Sequence, residues 1–368
     1  MYGFHGRVLH VHLGDGGTRV ETLPETVLHH YLGGIGLGTW LLLRAQDGDY
    51  PALGAEAPLV FAFAPLSGTA LNTSAKAAVV GKSPLTQRLN DALVSSRFAL
   101  AGKATGYDAL VLGGACDTWS TLFVEPHGVR VEATPELCGL SAAEAEAAVH
   151  ERWGTDWEVV STGIAGENGV PFATLSHDGR HAGRGGTGAV LGNKRLKALA
   201  VRGDVPTQVA DPSAFQELRE RLKRRSLGNA TEKYRTTGTL GNLLVFNRLG
   251  ILPGDNFRSH SDARAEALSA EDLFASQKVE RTTCADCMIG CEKRYTTPGG
   301  KSVRLEYENF FALGPLLGVW DRDAVAEASR LCDEYGLDTI STGGTLAFAM
   351  ECVERGLLEE PRLRFGDA

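Results

Sequence analysis

The chain has 368 residues, of which 43% are hydrophobic and 22% charged, and it is long enough for two or three domains with separate cores. Its formal net charge of −8 argues against nucleic acid and anionic membranes as partners, because both are polyanions. The longest apolar runs, such as residues 59–64, are too short to span a bilayer, and the N-terminus lacks the pattern of a secretion signal. Seven cysteines, three of them within eight residues, predict a reducing, cytoplasmic location and a metal, not a disulfide framework.

The N-terminal part of the chain is predicted to consist mainly of strands. Residues 7–13 alternate between apolar and polar side chains, as a half-buried strand does. Short apolar runs bounded by turn residues predict further strands over residues 59–64, 77–80, 109–113 and 121–124. One helix stands out, because Ser141 and Glu144 have the pattern of a capping box before an alanine-rich amphipathic run.

The sequence pattern changes from mainly strand-like to mainly helical near residues 204–206. Asp211 followed by Pro212 is the pattern of a helix N-terminus. Helical patterns then dominate, over residues 213–225, 240–249, 270–276, 323–335 and 342–355. We therefore predict an α+β fold with two domains, a β-rich cofactor-binding domain over residues 1–205 and a mostly helical domain over residues 206–368. The basic run over residues 219–225 is interpreted as the solvated face of a helix.

The sharpest chemical signal is a cluster of three cysteines. Cys284, Cys287 and Cys291 have the spacing C-x2-C-x3-C. Thiolates this close in sequence can converge on one iron–sulfur cluster, with a fourth ligand from elsewhere in the chain. Zinc also binds sets of cysteines, and three buried cysteines without a metal are the remaining alternative. The spacing favours the iron–sulfur cluster, and Cys332 and Cys352 are interpreted as core residues of predicted helices.

A glycine-rich segment with two arginines occupies residues 180–192. It begins with Arg180 and His181 and continues through Gly183 and Arg184. Backbone N–H groups in such a turn, together with guanidinium groups, can bind phosphate. The glycine spacing is not that of a Rossmann fingerprint, and a flexible turn without a ligand is an equally good explanation of this segment alone.

A third segment, residues 333–341, joins two predicted helices. The first helix ends at Gly336 and the second starts near Asp338. The carboxylates of Asp333 and Asp338 could accept hydrogen bonds from an amino-pterin ring. A capped connection between helices, without any ligand, is the simpler local explanation.

Taken together and in this order, the three segments resemble the aldehyde ferredoxin oxidoreductase family of tungsten-pterin enzymes. The resemblance covers essentially the whole chain, and the other stretches that carry it are residues 31–34, 82–86, 165–168 and 192–198 and the tripeptide Glu306-Tyr307-Glu308. It implies one tungsten, or molybdenum, held between two pterins, with a [4Fe-4S] cluster beside one of them. It also implies oxidation of a small aldehyde to a carboxylate, with electrons passing to ferredoxin or another redox partner, and a homodimer.

The resemblance assigns roles by position. The cluster ligands would be Cys284, Cys287 and Cys291. Glu308 would face the metal and act as a general base. The residues that would hold the pterins and their phosphates are Arg180, His181, Gly183, Arg184, Asp333, Leu337 and Asp338.

Two further cofactor-binding positions depart from the family pattern. Lys76 stands where the family usually has Arg, so the charge is kept but the bidentate guanidinium fork is lost. Leu93 stands in place of an Asn and cannot donate the expected hydrogen bond. Ser95 and Ser96 replace two glycines where the backbone would approach a pterin.

The family also continues beyond the point matched by Ala368, through a further helical region that supplies a fourth cluster cysteine and a second pterin loop. We therefore expect the helical domain to be incomplete at its C-terminal end and residues 1–368 to be inactive alone. The alternatives are a truncated non-catalytic remnant or a binding or assembly module of the same family, and more distantly a zinc-binding structural protein.

Overall fold

A computed structural model describes residues 1–45, 49–277 and 279–368, and the fold is α+β as predicted. The chain folds as two compact units. The first comprises Met1–Leu222, Cys284–Cys287 and Glu334–Leu337, and the second comprises Lys223–Thr283, Met288–Asp333 and Asp338–Ala368. The domain boundary near residue 205 stays a prediction.

The first unit contains two six-stranded sheets. The strands of the first sheet are β1 Arg7–His12, β2 Gly17–Thr22, β3 Leu59–Phe63, β4 Ala77–Lys82, β5 Leu89–Val94 and β6 Ala109–Gly113. They lie in the order β2-β1-β6-β3-β4-β5, with β1 and β6 parallel and the other neighbours antiparallel. Strand β5 is therefore an edge strand, which leaves one of its sides open to other segments.

The second sheet follows in the chain. Its strands are β7 Ser120–Glu125, β8 Gly128–Ala133, β9 Glu158–Thr162, β10 Leu175–His177, β11 Arg180–Ala182 and β12 Leu196–Val201. They lie in the order β11-β10-β9-β12-β7-β8, and β7 and β12 are the parallel pair. The four strands predicted over residues 59–64, 77–80, 109–113 and 121–124 are confirmed, whereas most of this second sheet was not predicted.

The two sheets share a core, and helices cover their other faces. Phe61 and Val79 of the first sheet and Leu122 and Leu199 of the second are buried in the shared core. Helices α1 and α2 pack on the first sheet and α4 packs on the second. The helices up to residue 226 are α1 Glu25–Tyr31, α2 Gly34–Ala45, α3 Arg97–Ala104, α4 Ala142–Trp153, α5 Ile164–Glu167, α6 Thr187–Asn193 and α7 Pro212–Ser226.

Two of these helices begin as the sequence predicts. At the start of α4 the Glu144 amide donates to Ser141 Oγ at 3.2 Å, and the Ser141 amide donates to the Glu144 carboxylate at 2.8 Å. At the start of α7 the Ala214 amide donates to the Asp211 carboxylate at 3.0 Å. Each bond satisfies an amide that has no partner within its helix, so the predicted N-termini are confirmed.

The later part of the chain is mostly helical. Its helices are α8 Glu232–Thr236, α9 Asn242–Arg248, α10 Ala270–Ser276, α11 Tyr307–Leu313, α12 Arg322–Tyr335 and α13 Thr339–Glu354. A small antiparallel sheet, which was not predicted, consists of β13 Val279–Thr282, β14 Glu292–Thr296 and β15 Ser302–Leu305. Short 3-10 turns occupy residues 135–137, 229–231, 239–241, 263–268 and 315–317. No helix in the described part of the chain is both long enough and apolar enough to cross a bilayer.

Candidate cofactor site

The predicted site residues are distributed over both units. The first unit holds Lys76, Leu93, Arg180, His181, Gly183, Arg184, Cys284, Cys287 and Leu337. The second holds Cys291, Glu308, Asp333 and Asp338.

Lys76 and Ser95 face each other at one end of the β4–β5 hairpin. The pairing sets Ala77 opposite Val94, which places Lys76 opposite Ser95 on the same face. Lys76 Nζ donates a hydrogen bond to Ser95 Oγ. An ammonium group has three N–H donors, so this bond leaves Lys76 with donors for a further acceptor. Lys76 and Ser95, which both depart from the family pattern, are thus hydrogen-bond partners of each other.

Leu93 lies on the open edge strand β5. It pairs with Ala78 of β4, and its side chain is 49% exposed. Its neighbours Ala92 and Val94 point the other way and are buried in the core. Leu93 therefore presents apolar surface outside the core, next to the strand that carries Arg180 and His181, because β5 packs beside β11.

Asn90 joins this edge strand to the glycine-rich segment. Its Nδ2 donates to the backbone oxygen of Arg184 at 3.1 Å. A β-carbon on Gly185 would lie 2.0 Å from the Asn90 side-chain carbon, and Gly185 has a φ of +86°. Only glycine fits there without displacing Asn90. Asn90 was not among the predicted site residues, because nothing in the local sequence shows that it reaches a loop 94 positions away.

The glycine-rich segment begins in β11, and its two arginines lie near the protein surface. His181 Nδ1 and Ser176 Oγ are 2.6 Å apart across the β10–β11 hairpin. Arg180 is half-buried and Arg184 is exposed. A β-carbon on Gly183 would meet nothing closer than the His181 Cβ at 4.0 Å, so the backbone at Gly183 faces open space. This arrangement of open backbone between two arginines suits an anionic ligand.

The first two cysteines of the motif form a turn in the first unit. The Cys287 amide donates to the Cys284 oxygen at 3.1 Å, and the Thr73 amide donates to the Asp286 oxygen at 2.7 Å. Burial raises the pKa of the Asp286 carboxyl, although the nearby Arg219 opposes the shift. Thr73 precedes Lys76 by three residues, so the Cys284–Cys287 turn lies against the loop that leads into β4.

The glycine-rich segment and Leu337, which were predicted from separate motifs, share neighbours in the first unit. The Gly188 amide donates to the Ala173 oxygen at 3.0 Å, and Ala173 forms an isolated β-bridge with Leu337. The Leu337 side chain packs against Ala173 and Ala189, which lies in α6. The structure therefore brings these two motifs to the same place in the first unit.

In the second unit, Glu308 lies in the first turn of α11 and is half-buried. The next residue, Asn309, fixes the helix: its Nδ2 donates to Ser329 Oγ, and Thr339 Oγ1 donates to its Oδ1, both at 2.9 Å. Asp338 caps α13, because the Ser341 amide donates to its Oδ2 at 2.9 Å. A capped helix–helix connection is thus present at Asp338, and contacts of Asp333, Leu337 and Asp338 with a pterin stay predictions.

Glu306 has an unusual environment that the sequence did not reveal. Burial raises the pKa of its carboxyl, and the carboxylates of Glu308 and Glu292 add to the rise, while Arg304 opposes it. Tyr307 lies between the two glutamates, and burial together with Glu308 raises its pKa to about 12. A buried carboxyl with a raised pKa, two residues from Glu308, has the environment typical of a proton-transfer group, so Glu306 joins the candidate catalytic groups.

Two cations of the second unit hold the peptide groups just before Cys291. The Arg281 guanidinium donates to the oxygens of Met288 and Ile289 at 3.0 and 2.8 Å, and Lys293 Nζ donates to the Gly290 oxygen at 3.0 Å. Positive charge of this kind favours a thiolate over a thiol. Across residues 1–45, 49–277 and 279–368, no group of three or more His, Cys, Asp or Glu side chains is arranged to hold a metal ion. The three-cysteine cluster site stays a prediction.

Comparison with known proteins matches both parts of the chain to one family. Residues 8–203 match the description "Aldehyde ferredoxin oxidoreductase, N-terminal domain", and residues 214–368 match "Aldehyde ferredoxin oxidoreductase, domains 2 & 3". The tungsten-containing aldehyde ferredoxin oxidoreductases of Pyrococcus abyssi and Pyrococcus furiosus are each 37% identical to this chain, over 383 and 376 residues. The alignments cover all of this chain but 63% and 61% of those proteins, so the chain spans less than two thirds of their length.

A solved structure agrees on the fold. The active site complex BamBC of benzoyl coenzyme A reductase, in complex with 1,5-dienoyl-CoA, matches with a TM-score of 0.86 over 97% of this chain and 57% of that chain. Sequence identity is 23%, so this likeness concerns the fold alone. The two family matches, by contrast, account for nearly every residue from 8 to 368. The chain belongs to the aldehyde ferredoxin oxidoreductase family.

Proposed function

We propose that this chain carries the pterin- and cluster-binding part of an oxidoreductase that converts an aldehyde to a carboxylate at a tungsten or molybdenum bis-pterin centre. Electrons would leave through a [4Fe-4S] cluster to ferredoxin or a similar acceptor. The observation that carries the proposal is a hydrogen bond within the first unit. Through it Asn90, on edge strand β5, holds the glycine-rich loop at Arg184. Two relatives that are 37% identical are tungsten-containing aldehyde ferredoxin oxidoreductases, which supports the tungsten chemistry.

The residues of the first unit fit a phosphorylated ring system. Arg180 and Arg184 could bind phosphate oxygens through their guanidinium forks, and the open backbone at Gly183 allows close approach. Lys76 keeps donors beyond its bond to Ser95, and the exposed Leu93 offers an apolar surface to the flat ring. The bound metal–pterin group would supply the two-electron redox and Lewis-acid chemistry.

The cysteine motif fits iron–sulfur ligation in its chemistry. Cys284 and Cys287 are the first and last residues of one hydrogen-bonded turn, so two of the predicted ligands belong to a single short loop. Arg281 and Lys293 fix the backbone that precedes Cys291, the third predicted ligand. Such cations also offset the negative charge of a thiolate-bound cluster.

Glu308 and Glu306 would manage the protons of the reaction. An aldehyde and one water give a carboxylic acid, two protons and two electrons, so a base near the reacting carbon must take up protons. Glu308 is the proposed base, because it matches by position the glutamate that faces the metal in the family; it is half-buried in the first turn of α11. Glu306, whose carboxyl holds its proton more strongly through burial, would relay protons behind it.

The proposal is tested on the product of the full reading frame, purified without oxygen from a strain supplied with tungstate and molybdate. We expect tungsten or molybdenum, iron, visible-range absorbance, and reduction of a redox dye that depends on added aldehyde. Zinc in place of iron, with no visible absorbance, would contradict the cluster assignment. A homodimer and a cytoplasmic location stay predictions.

One observation favours a second candidate, a binding or assembly module of the same family without turnover. Lys76 already donates to Ser95, and Leu93 has no polar group to offer a cofactor. In that case the protein would bind the pterin weakly or not at all, and aldehyde would reduce no dye. Metal content and dye reduction measured on one preparation distinguish the two candidates.

A further inference from the structure

Lys76 and Ser95, at one end of the β4–β5 hairpin, are both half-buried, and each stands between two buried residues. The buried neighbours are Ala75 and Ala77 beside Lys76, and Val94 and Ser96 beside Ser95. Successive side chains of an extended chain point to opposite faces, so Lys76 and Ser95 point away from the buried side together. Because the packing of their neighbours fixes both backbones, the two polar side chains are held next to each other.

Lys76 differs from the other lysines of the first unit in its partner. Within the part of the chain that the structure describes, Lys76 forms no ion pair, and its ammonium group donates to the Ser95 hydroxyl. The other lysines of this unit each donate to a carboxylate or to backbone oxygens: Lys82, Lys103, Lys194 and Lys197. A half-buried charge without a counter-charge is unfavourable, so the Lys76 ammonium group suits an anionic ligand.

The hydrogen bond between Lys76 and Ser95 leaves donors for such a ligand. An ammonium group has three N–H donors, and Lys76 uses one of them on Ser95. The Ser95 oxygen accepts this bond, so the hydroxyl hydrogen can be donated to another acceptor. Lys76 Nζ and Ser95 Oγ are one hydrogen-bond length apart, and both can therefore reach oxygens of the same anion. Two adjacent donors of this kind resemble the fork with which arginine binds phosphate.

We propose that Lys76 and Ser95 together bind one phosphate group of the pterin cofactor, as a single bidentate pair. The inference rests on the proposed function, which supplies the cofactor, and it adds Ser95 as a binding residue. It also makes the two side chains depend on each other. The ammonium group orients the hydroxyl, and the hydroxyl supplies the second donor. The two positions that depart from the family pattern thus compensate for each other.

Competition between Ser95 and the cofactor for Lys76 is the opposite relationship, and it has the opposite consequence. If the hydroxyl competed for the ammonium group, its removal would free Lys76 and strengthen cofactor binding. If the hydroxyl and the ammonium group bind the phosphate together, its removal weakens cofactor binding. The sign of the effect of Ser95→Ala therefore distinguishes cooperation from competition.

The test uses the product of the full reading frame, purified without oxygen. The rate at which pterin is released after dilution is followed through the fluorescence of oxidised pterin, in wild type, Lys76→Met, Ser95→Ala and the double variant. The control combines Lys301→Met with Ser213→Ala, which makes the same two changes at exposed positions. Inorganic pyrophosphate is titrated into the same proteins by calorimetry, as a phosphate probe that needs no pterin.

Loss of one hydrogen bond to a charged group typically lowers affinity by about tenfold. We expect Lys76→Met and Ser95→Ala each to release pterin about tenfold faster than wild type, and the double variant to be no faster than either. The control should match wild type. Lys76→Arg combined with Ser95→Gly removes the Lys76–Ser95 bond but supplies two donors from one guanidinium fork. It should release pterin within about threefold of the wild-type rate, which a purely structural role of the bond would not allow.

Slower or unchanged release from Ser95→Ala would overturn the inference. So would a double variant about a hundredfold faster than wild type, as independent donors predict, or fast release from Lys76→Arg combined with Ser95→Gly. The proposed function is judged separately, by whether wild type contains pterin. If it contains none, the pyrophosphate titration decides the inference. Binding to wild type that both single variants lose supports the bidentate pair, whereas no binding, or binding that they keep, contradicts it.

Discussion

Asn90 and Arg184 are 94 positions apart in the chain, yet the Asn90 side-chain amide donates to the Arg184 backbone oxygen at 3.1 Å. The bond ties an edge strand of one sheet to the loop that follows an edge strand of the other. Gly185 makes the contact possible, because any β-carbon there would strike Asn90. The proposed phosphate-binding loop is thus held from both sheets of the first unit.

Asn90→Asp should weaken cofactor binding without unfolding the protein. The carboxylate has the shape of the amide but cannot donate to the Arg184 oxygen. The loop therefore loses this hydrogen bond, and the Arg184 oxygen faces a negatively charged oxygen instead. Because the site is exposed, the free energy of unfolding should fall by only about 1 kcal/mol. Tungsten or molybdenum per chain, measured by mass spectrometry, should fall severalfold. Asn229→Asp, at an exposed asparagine of a 3-10 turn, is the control, and equal metal loss in both variants would contradict the prediction.

In the product of the full reading frame, Glu308→Gln should abolish aldehyde oxidation and leave metal and iron content intact. The change removes a proton acceptor but keeps the size of the side chain, and loss of general base catalysis typically lowers the rate by about 10² to 10⁴. Dye reduction by aldehyde gives the rate, and elemental analysis gives the metal content. Wild-type turnover in this variant would show that Glu308 is structural.

Arg184→Ala should lose the cofactor together with activity, unlike Glu308→Gln, which keeps its metal. The reason is that the Arg184 guanidinium is a proposed phosphate ligand.

Cys287→Ser should lower the iron content and the visible absorbance of the anaerobically purified protein. A serine hydroxyl is a poor substitute for a thiolate on iron, so a cluster held at the Cys284–Cys287 turn would be lost or become labile. Cys352→Ser is the matched control, because Cys352 is a half-buried residue of α13. If both variants kept full iron content, the turn would not be a cluster ligand. If only Cys352→Ser lost iron, Cys352 would become a candidate ligand.

Local features of the fold could be predicted because short-range chemistry determines them. The capping box of Ser141 and Glu144 and the Asp211 cap depend on residues within one helical turn. Strand β12 was missed for a physical reason. It contains Lys197, which is fully buried and forms an ion pair with Glu167, whereas a lysine in a sequence is normally taken as a surface residue. Helix α2 was missed because its glycines lower helix propensity, although Gly38 lets it pack closely on Val80 of β4.

The sequence predicted the residues of the candidate site better than the contacts that those residues make. The three motifs name Arg184, Cys287 and Leu337 directly, because each motif is local. The long-range contacts of these motifs involve Asn90, Thr73 and Ala173, whose roles depend on how distant segments pack. Glu306 was overlooked for a similar reason, since the burial that raises its pKa cannot be read from neighbouring residues.

A buried histidine should make the stability of the first unit depend on pH. His177 of β10 is fully buried, and its Nδ1 donates to the Val159 oxygen at 2.7 Å. Its Nε2 lies 3.0 Å from the Glu158 carboxylate, and its Nδ1 lies 3.4 Å from that of Glu146 in α4. Burial alone would lower the pKa of His177, but the bond to Glu158 and the charge of Glu146 outweigh it, and the pKa is raised. The folded protein therefore binds a proton at His177 more tightly than the unfolded chain does.

The sign of the effect follows from linkage. A raised pKa in the folded state contributes stability that is fully present below the unfolded pKa, about 6.5 for histidine, and is lost as pH rises through the folded value. Burial also raises the pKa of Glu146, so its contribution too declines as pH rises, from about 4.5 upward. We expect the free energy of unfolding, measured with urea, to fall as pH is raised above about 6.5 in wild type. In His177→Gln the protein should be less stable at pH 6, and this fall should be much smaller. His127→Gln, at an exposed histidine after β7, should follow wild type, and a wild-type stability that stays constant or rises over this range would refute the assignment.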